Sequence, residues 1–497
     1  MALGRTKSIE QAIRDTEEPE FQLKRAIGPV QLTILGIGVL IGTGVFVLTG
    51  QAAAQYSGPA VALSFAISGA ACALAALCYA EFASTVPVAG SAYTYSYVSM
   101  GEFIAWMIGW DLILEFTIGA ATVSKGWGGY FDSVFNSIGI TLPEALSNAP
   151  SDGGIVDLPA VFVALLMAVV LVLGIRLSTW VNAAVTALKL VIVVGIIAVG
   201  IFFVKGENLT PFIPEAREGS YGDSVAESPL LLQIFGVDTI YGGLGVFTGA
   251  ALVFFAYLGF DIVATMSEEV KRPQRTMPIG IIGSLLIATV LYIIVSLIIT
   301  GIVPFDQLNV EAPAAVAMAA TGIPAAEFII SLGILIGLTV VIMTLMLGQS
   351  RVAFAMSRDR LLPVWLSKVH PKYRTPYRLT IITAIVAAAL AGFMPLTALG
   401  QLVNIGTLAA FVLVSIGVIV LRRTRPDLPR AFKTPFVPVL PIVSALACLL
   451  VALFLPLDTW IRFVAWMALG AVIYFFYGRK RSRVGTGEDI SETARRV

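Results

Sequence analysis

Two apolar segments of the chain are each interrupted by small residues, and these interruptions are the first places where the sequence could bind a ligand. The first is GVLIGTG at 38–44 and the second is FFAYLGFD at 254–261. A helix broken inside a bilayer frees N–H and C=O groups that hydrocarbon cannot satisfy, so such breaks persist where they line a cavity or contact a ligand. A pair of breaks at corresponding places in two halves of a chain is typical of the binding site of a secondary transporter.

The two breaks offer complementary hydrogen-bonding groups to a small molecule that carries both charges. The half-helix that begins after the first break presents free N–H groups and positive dipole, which suits a carboxylate. The half-helix before it ends on free carbonyls, and the second break adds others, which suits an ammonium. The predicted substrate-binding residues are Leu40, Ile41, Gly42, Thr43, Gly44, Phe255, Ala256 and Leu258. The alternatives are a close helix-packing face for 38–42 and ordinary packing for Phe255.

Lys189 is an unusual charge deep in another apolar segment. It lies roughly 16 Å from the start of its helix, and the hydrocarbon core is ~30 Å thick, so we expect it near the midplane. An intramembrane cation is costly and indicates function by default. Removal from water favours the neutral amine, so we predict that Lys189 gains and loses the coupling proton. The alternative is a static ion pair with Glu115 or Asp111.

Glu115 and Leu338 are expected at a similar depth. Glu115 lies roughly 20 Å beyond Glu102, and Asp111 shares its helix face. We predict that Glu115 and Leu338 form a specificity pocket, with Glu115 contacting a polar substrate group and Leu338 covering the pocket with apolar bulk. The alternatives are a structural hydrogen bond for Glu115 and simple packing for Leu338. Lys125, near the outer end of its segment, can extend to the interface, so no role is predicted for it.

The composition indicates an integral membrane protein. Hydrophobic residues make up 58% of the 497 residues and charged ones 13%, against roughly 25% charged in soluble domains. The net charge of +1 gives no case for nucleic acid, and the sequence has no phosphate-binding G-x-x-x-x-G-K-[ST] loop. A single histidine and three scattered cysteines provide no metal site and no catalytic cluster. We therefore expect no enzyme, no cofactor and no metal.

Runs of about 20 apolar residues predict an all-α polytopic membrane protein with about twelve membrane-spanning helices, called spans 1 to 12 here. Their expected limits are 30–54, 60–80, 102–129, 158–175, 180–203, 247–267, 277–302, 325–350, 378–396, 401–421, 437–456 and 459–477. Arg and Lys concentrate in alternate connections, which predicts that both termini are cytoplasmic. The breaks fall in spans 1 and 6, so spans 1–5 and 6–10 are expected to form an inverted repeat, with spans 11 and 12 added.

This topology predicts a division of the chain. The expected parts are a cytoplasmic N-terminal segment at 1–29, the first repeat at 30–204, an extracellular loop at 205–246, the second repeat at 247–422, a cytoplasmic loop at 423–436, spans 11 and 12 at 437–478, and a cytoplasmic tail at 479–497. The oligomeric state and any small membrane partner stay undetermined.

Several motifs resemble those of a known family. GVLIGTGVF at 38–46 resembles the span 1 signature of the amino acid–polyamine–organocation (APC) superfamily. Further motifs are similar to those of bacterial homologues of the cationic amino acid transporters: CYAEFA at 78–83, PVAGSAYTY at 87–95, GWDLILE at 109–115, FAYLGFD at 255–261, EEVKRPQ at 268–274, QSR at 349–351 and AMSRD at 355–359. The resemblance extends from about residue 24 to 435.

The resemblance implies a LeuT-type fold that works by alternating access. It places the substrate carboxylate on 42–44 and the substrate amine on carbonyls of both breaks. It also places Lys189 where sodium-coupled relatives hold a sodium ion, which implies proton coupling. Leu338 is large and apolar where cationic members tend to have a smaller or polar residue, so we expect small neutral L-amino acids such as alanine.

The combined expectation is a proton-coupled symporter that imports L-amino acids across the plasma membrane, the inner membrane of a bacterium. The alternatives are an amino acid exchanger and a permease for arginine and lysine. A sodium symporter is disfavoured because Lys189 would occupy the place of the ion. A channel is disfavoured because the spans lack rings of charged residues.

Overall fold

The computed structural model describes residues 5–6, 27–86, 88, 91–174, 179–219, 225–237, 239–323, 325–373 and 375–487. Most of the expected N-terminal segment at 1–29 lies outside these residues, as does the expected tail beyond 487. Parts of the motif at 87–95 also lie outside them. All of the predicted site residues lie within the described ranges.

Helices occupy each of the twelve predicted span positions. Span 1 consists of Pro29–Leu40 and a second half-helix at 44–57, which is π-helical over Gly44–Leu48, α-helical over Thr49–Ala52 and π-helical over Ala53–Ser57. Span 6 consists of Gly242–Val253, a 3₁₀ turn at Phe254–Tyr257 and Phe260–Thr265. The unbroken spans 2 to 5 are Val61–Thr85, Glu102–Ser137, Leu158–Val172 and Thr179–Gly200; spans 7 to 12 are Pro273–Ile302, Ala326–Arg358, Tyr377–Phe393, Leu396–Thr424, Val439–Leu453 and Leu457–Ile473.

The prediction of an all-α polytopic membrane protein is confirmed. Within the described ranges, 8 helical stretches are long and apolar enough to cross a membrane, and four shorter apolar helices accompany them. Large apolar side chains remain exposed on the outside of the bundle, among them Val191, Leu286 and Val464. Such a surface is normal where the solvent is hydrocarbon and not water.

Short elements fill the connections. A two-stranded antiparallel ribbon pairs Arg217–Glu218 with Thr239–Ile240. The other short helices are Gly58–Ala60, Ser91–Ser99, Glu144–Ser147, Pro150–Asp152, Ile201–Phe203, Gly206–Leu209, Val225–Glu227, Leu230–Phe235, Ser267–Glu269, Phe305–Leu308, Pro313–Ala319, Val364–Ser367, Tyr474–Gly478, Arg479–Arg481 and Arg483–Thr486.

The two ends of the bundle differ in charge. We call the end with the connections at 268–272, 359–376 and 422–433 the basic side, because Arg and Lys predominate there. We call the end with the connections at 138–157 and 303–325 the acidic side, because its charges are mostly carboxylates. Spans 1, 3, 5, 6 and 8 pack around the centre between these two sides.

Candidate functional site

The break in span 1 is abrupt. The first half-helix ends at Leu40, and Ile41 has the extended conformation, with φ −71° and ψ 101°. The second half-helix then begins at Gly44. The last carbonyls of one half-helix and the first N–H groups of the other therefore lie side by side, with dipole ends of opposite sign. The chain is most polar at this point of an otherwise apolar span.

The break in span 6 depends on Gly259. Its φ of +126° is a conformation that only glycine adopts without strain, and it lets the helix restart at Phe260. The Gly259 N–H donates to Asp261 Oδ1 at 3.2 Å. Asp261 therefore caps the second part of span 6.

The two breaks touch through their backbones. A Cβ atom added at Gly44 would overlap the Cα of Ala256 and lie 2.7 Å from its N atom. A Cβ added at Gly259 would lie 2.5 Å from Val39 Cγ1. Both glycines are therefore needed for close approach, and the approach brings the free polar groups of the two breaks to one place.

Side chains from neighbouring spans hold the second break in position. The hydroxyl of Tyr292 in span 7 donates to the carbonyl oxygen of Ala256 at 2.9 Å. The amide of Asn404 in span 10 donates to the carbonyl oxygens of Ala251 and Leu252 at 2.7 and 2.9 Å. Sequence reasoning missed both residues. Their signal was a hydrogen-bonding side chain deep in an apolar span, where it has to find a partner.

A small cavity, called the central cavity here, lies between the breaks. Its volume is about 10 Å³, and its lining includes Leu40, Gly42, Thr43, Gly44, Phe255 and Leu258 of the predicted set. Ile41 and Ala256 do not line it. The buried Thr43 hydroxyl has no hydrogen-bond partner among the described residues, so it is available to a ligand. This volume holds about one water molecule, and a substrate can enter only when the breaks separate.

Lys189 reaches the first break directly. Its side chain is 2% exposed, and its Nζ donates to the carbonyl oxygen of Gly38 at 2.6 Å. That carbonyl belongs to the last turn of the first half-helix, where acceptors are free and the dipole is negative. In the described part of the chain, no carboxylate forms an ion pair with Lys189. The alternative of a static pair with Glu115 or Asp111 is therefore wrong for this conformation.

Span 8 packs beside both Lys189 and the break. A Cβ added at Gly337 would lie 3.0 Å from Lys189 Cε, and one added at Gly42 would lie 4.0 Å from Leu338 Cδ2. Leu338 is fully buried. Spans 1, 5 and 8 therefore meet at one point, and Leu338 supports Gly42 from behind without lining the closed central cavity.

Comparison with known proteins agrees with this architecture. A family model described as amino acid permease matches residues 27–475, which is nearly the whole chain. This chain belongs to the amino acid permease family of the APC superfamily. It is accordingly a transporter and not an enzyme, and the resemblance drawn from its motifs is confirmed.

Three relatives of the permease have informative names. It is 47% identical over 462 residues to the methylthioribose transporter of Bacillus subtilis, covering 93% of this chain and 95% of the relative. It is 46% identical over 485 residues to the branched-chain amino acid permease BcaP of the same organism, covering 97% and 98%. It is 37% identical over 428 residues to the vacuolar cationic amino acid transporter 4 of Arabidopsis thaliana, covering 86% and 68%.

Glu115 lies outside the central cavity of the permease. It is not among the residues that line the cavity, and it lies one helical turn from Gly119, where an added Cβ would lie 3.2 Å from Leu258 Cδ2. Both carboxyl oxygens of Glu115 are buried without a hydrogen-bond partner among the described residues. Asp111 and Asp261 are close enough to interact with Glu115 electrostatically. Glu115 therefore belongs to a cluster of buried carboxyl groups, which lies toward the basic side of the bundle.

Lys125, for which no role was predicted, lies in a buried cluster of charges. It does not reach toward an interface: its side chain is fully buried, and its Nζ lies 3.0 Å from Glu311, 3.4 Å from Asp152 and 3.5 Å from Asp157. Asp157 also caps span 4 by accepting from the Ala160 N–H at 3.0 Å. The carboxylates that surround the ammonium are distant from it in sequence. Lys125 thereby connects span 3 to the start of span 4 and to the connection between spans 7 and 8.

Burial and the Lys125 ammonium together determine the charge of the neighbouring carboxyl groups. Burial raises the pKa of Glu311 to about 7 and that of Asp157 to about 6, and the Lys125 ammonium acts against both shifts. Without that ammonium, each carboxylate would be harder to ionise. The cluster therefore depends on the lysine charge.

We expect Lys125→Met to lower the free energy of unfolding by about 3–5 kcal/mol, because removing one partner leaves buried charges uncompensated. The loss should be larger at about pH 8 than at about pH 6, because the folded variant binds extra protons at its carboxyl groups and loses stability as these ionise. Thermal unfolding at the two pH values measures this. Lys205→Met, at an exposed lysine on the acidic side, is the control. Equal unfolding midpoints in both variants would contradict the prediction.

Proposed function

We propose that the permease is a secondary active transporter that imports small neutral L-amino acids such as L-alanine together with a proton, by alternating access. The observation that carries the proposal is the meeting of both helix breaks with Lys189 at one buried point. The family supports amino acid transport in general. The substrate, the proton and the direction of transport are the proposed parts.

The substrate would bind to the backbone of the two breaks. Its carboxylate would accept hydrogen bonds from the N–H groups of Gly42, Thr43 and Gly44, at the positive end of the second half-helix. Its ammonium would donate to carbonyls of Leu40, Ile41, Phe255, Ala256 and Leu258. The apolar rest of the lining, which includes Val123, Val341 and Leu345, suits a short aliphatic side chain.

The proton would be carried by Lys189. A protonated Lys189 holds Gly38 and with it the end of the first half-helix. A neutral amine would hold that carbonyl less firmly, because a charged donor forms a hydrogen bond about twice as strong as a neutral one. Loss of the proton would therefore let the first half-helix move, and this movement would open the central cavity toward the basic side.

The energetics fit an accumulating transporter. One proton moved with a neutral amino acid carries one charge, which at ~100 mV supplies ~2.3 kcal/mol. At ~1.4 kcal/mol per tenfold ratio, this sustains an accumulation of roughly fifty-fold.

We propose the plasma membrane as the location, with the basic side and both termini in the cytoplasm, because Arg and Lys predominate in the connections on that side. The division of the chain into repeats at 30–204 and 247–422, with spans 11 and 12 at 437–478, belongs to the same proposal. Spans 1 and 6 each begin one half with a broken helix, which supports it.

Two relatives favour different substrates. One is named a branched-chain amino acid permease and is 46% identical to this chain. Larger aliphatic amino acids are therefore the second candidate. Another is named a methylthioribose transporter. A thiosugar of this kind has neither the carboxylate nor the ammonium that the two breaks would bind.

The test is uptake of radiolabelled L-alanine into proteoliposomes with an imposed inward proton gradient, with valine, leucine, arginine and methylthioribose as competitors. We expect accumulation above the outside concentration, competition by small neutral amino acids and no requirement for sodium. Exchange without accumulation would identify an exchanger. Stronger competition by leucine would favour the second candidate, and competition by methylthioribose alone would refute an amino acid substrate.

We expect Leu338→Ser to widen the range of competitors toward longer and cationic amino acids. Leu338 is fully buried behind Gly42, so a shorter, polar side chain leaves space next to the first break. Loss of a buried leucine side chain also costs about 2–5 kcal/mol of stability, so the amount of folded protein is measured in parallel. An unchanged order of competitors in folded protein would show that Leu338 only packs.

A further inference from the structure

A cavity much larger than the central cavity lies elsewhere in the permease. A cavity of about 570 Å³ opens on the acidic side. Its walls are the second half-helix of span 1, the end of span 3, the connection between spans 7 and 8 and the beginnings of spans 8 and 10. Its volume is in the range of small-molecule sites, about 300–1,000 Å³. We call this cavity the acidic vestibule.

The charges that line the acidic vestibule have one sign. Its charged lining residues in the described part of the chain are Asp132, Asp152, Glu311 and Glu327. Lys125 lies behind Glu311 and Asp152 and compensates part of this charge, but it does not line the space. A cleft with one sign of charge and low-dielectric walls concentrates ions of the opposite sign. The vestibule therefore attracts cations.

Neighbouring polar residues hold the lining in place. The Ser133 hydroxyl donates to Glu327 at 3.1 Å, and the Asn136 amide donates to Asp132 Oδ2 at 3.5 Å. The Gln55 amide donates to Asn309 Oδ1 at 2.9 Å, which fixes the connection between spans 7 and 8 against span 1. Hydrogen bonds to neighbouring side chains therefore hold these carboxylates in position on the wall of the vestibule.

Gln51 is an independent sign of a ligand. It lines the vestibule, it is only 7% exposed, and its Oε1 has no hydrogen-bond partner among the described residues. The Oδ1 atom of Asp132 also lacks a partner there. A buried acceptor without a donor is unfavourable, because it has given up its hydrogen bonds to water. An ammonium has three donors and no acceptor, so it can donate to several such atoms at once.

We propose that the acidic vestibule is a second ligand site, which binds the ammonium group of an amino acid before the molecule reaches the central cavity. Gln51 follows Gly44 by seven residues, roughly 10 Å along the helix axis. Between them, the Tyr130 hydroxyl donates to the Phe46 carbonyl oxygen at 2.6 Å and ties span 3 to the second half-helix. This contact between span 3 and the second half-helix therefore separates a ligand in the vestibule from the central cavity. The proposal rests on the proposed function only for the identity of the ligand.

The test measures how fast charged reagents react with a thiol in the vestibule, and it does not require transport. A Thr397→Cys variant places a thiol on the vestibule wall, and the native cysteines Cys72, Cys78 and Cys448 are buried and unreactive by position. The full chain in lipid nanodiscs reacts with a methanethiosulfonate that carries trimethylammonium or with one that carries sulfonate. We expect the combined Asp132→Asn and Glu327→Gln changes to slow the cationic reagent by about 10-fold or more and not to slow the anionic one. Glu144→Gln, at an exposed carboxylate outside the vestibule, should change neither rate.

Protection of the same thiol identifies the ligand. L-Alaninamide keeps the ammonium of alanine but not its carboxylate, and propionate keeps the carboxylate but not the ammonium. We expect L-alanine and L-alaninamide to slow labelling, propionate to have no effect, and Gln51→Ala to remove the protection. Equal protection by sodium chloride at the same ionic strength would overturn the proposal in favour of a general cation effect. Unchanged reagent rates after removal of the two carboxylates would overturn the site itself. Neither result depends on whether the permease transports alanine.

Discussion

Lys189→Ala is expected to abolish proton-driven accumulation of L-alanine and to leave exchange of L-alanine across the membrane intact. Accumulation should fall from roughly fifty-fold to about equal concentrations on both sides, because the charge that the proton brings is no longer moved. Exchange should remain, because the backbone groups proposed to bind the substrate are untouched. In the structure, the ammonium touches Gly38 of the first half-helix, and the described residues offer it no carboxylate.

Paired assays in proteoliposomes separate the two roles of Lys189. One assay measures accumulation with an imposed proton gradient, and the other measures counterflow at equal pH. Lys205→Ala, at an exposed lysine, is the matched control and should behave as the native chain in both assays. Retained accumulation in Lys189→Ala would show that another group carries the proton, with the buried Glu115 as the next candidate. Loss of both accumulation and counterflow in folded protein would show that Lys189 has a structural role only.

Gly44→Ala is expected to lower the initial rate of L-alanine uptake by more than about 100-fold. The added Cβ overlaps the Ala256 Cα, and backbone on both sides prevents a small local adjustment. The two breaks would have to separate by about 1 Å, and a displacement of that size costs about 100-fold where geometry determines a rate. Uptake at equal amounts of folded protein measures the effect.

Gly195→Ala is the control for the change at Gly44. It adds the same methyl group to a spanning helix, but there the Cβ would meet only Ile330 Cδ1 at 3.8 Å, which is an ordinary contact. Its uptake rate should stay near that of the native chain. Similar rates in the two variants would contradict a close approach of the breaks as a requirement for transport.

Most of the fold could be predicted from the sequence because the bilayer leaves few choices. A spanning segment has to satisfy its backbone internally, so long apolar runs form helices and their limits follow from length. For the same reason, the two interruptions by small residues were visible before any coordinates. The breaks lie where they were predicted, at Leu40–Gly44 and at Phe254–Gly259. The APC family could also be predicted, because its motifs are local in sequence.

Partners distant in sequence could not be predicted in this way. Lys125 is in the same kind of apolar helix as Lys189, yet three carboxylates from two connections surround it, and none contacts Lys189 in the described residues. Likewise, Tyr292 and Asn404 support the second break from spans 7 and 10. Sequence spacing gives the depth of a side chain, but it does not give the rotation and neighbours of its helix, which decide what it contacts.

The sequence by itself determined that this chain is a membrane transporter with two broken helices and an intramembrane lysine, because hydrocarbon penalises each of these features unless it has a use. Only the tertiary structure decided that Gly44 and Gly259 bring the breaks into contact, that Lys189 holds Gly38, and that Glu115 does not line the closed central cavity. It also decided that the central cavity is closed while an acidic vestibule stands open. The physical reason is that cavities and ion pairs are properties of packed helices, and packing joins residues that the chain separates by hundreds of positions.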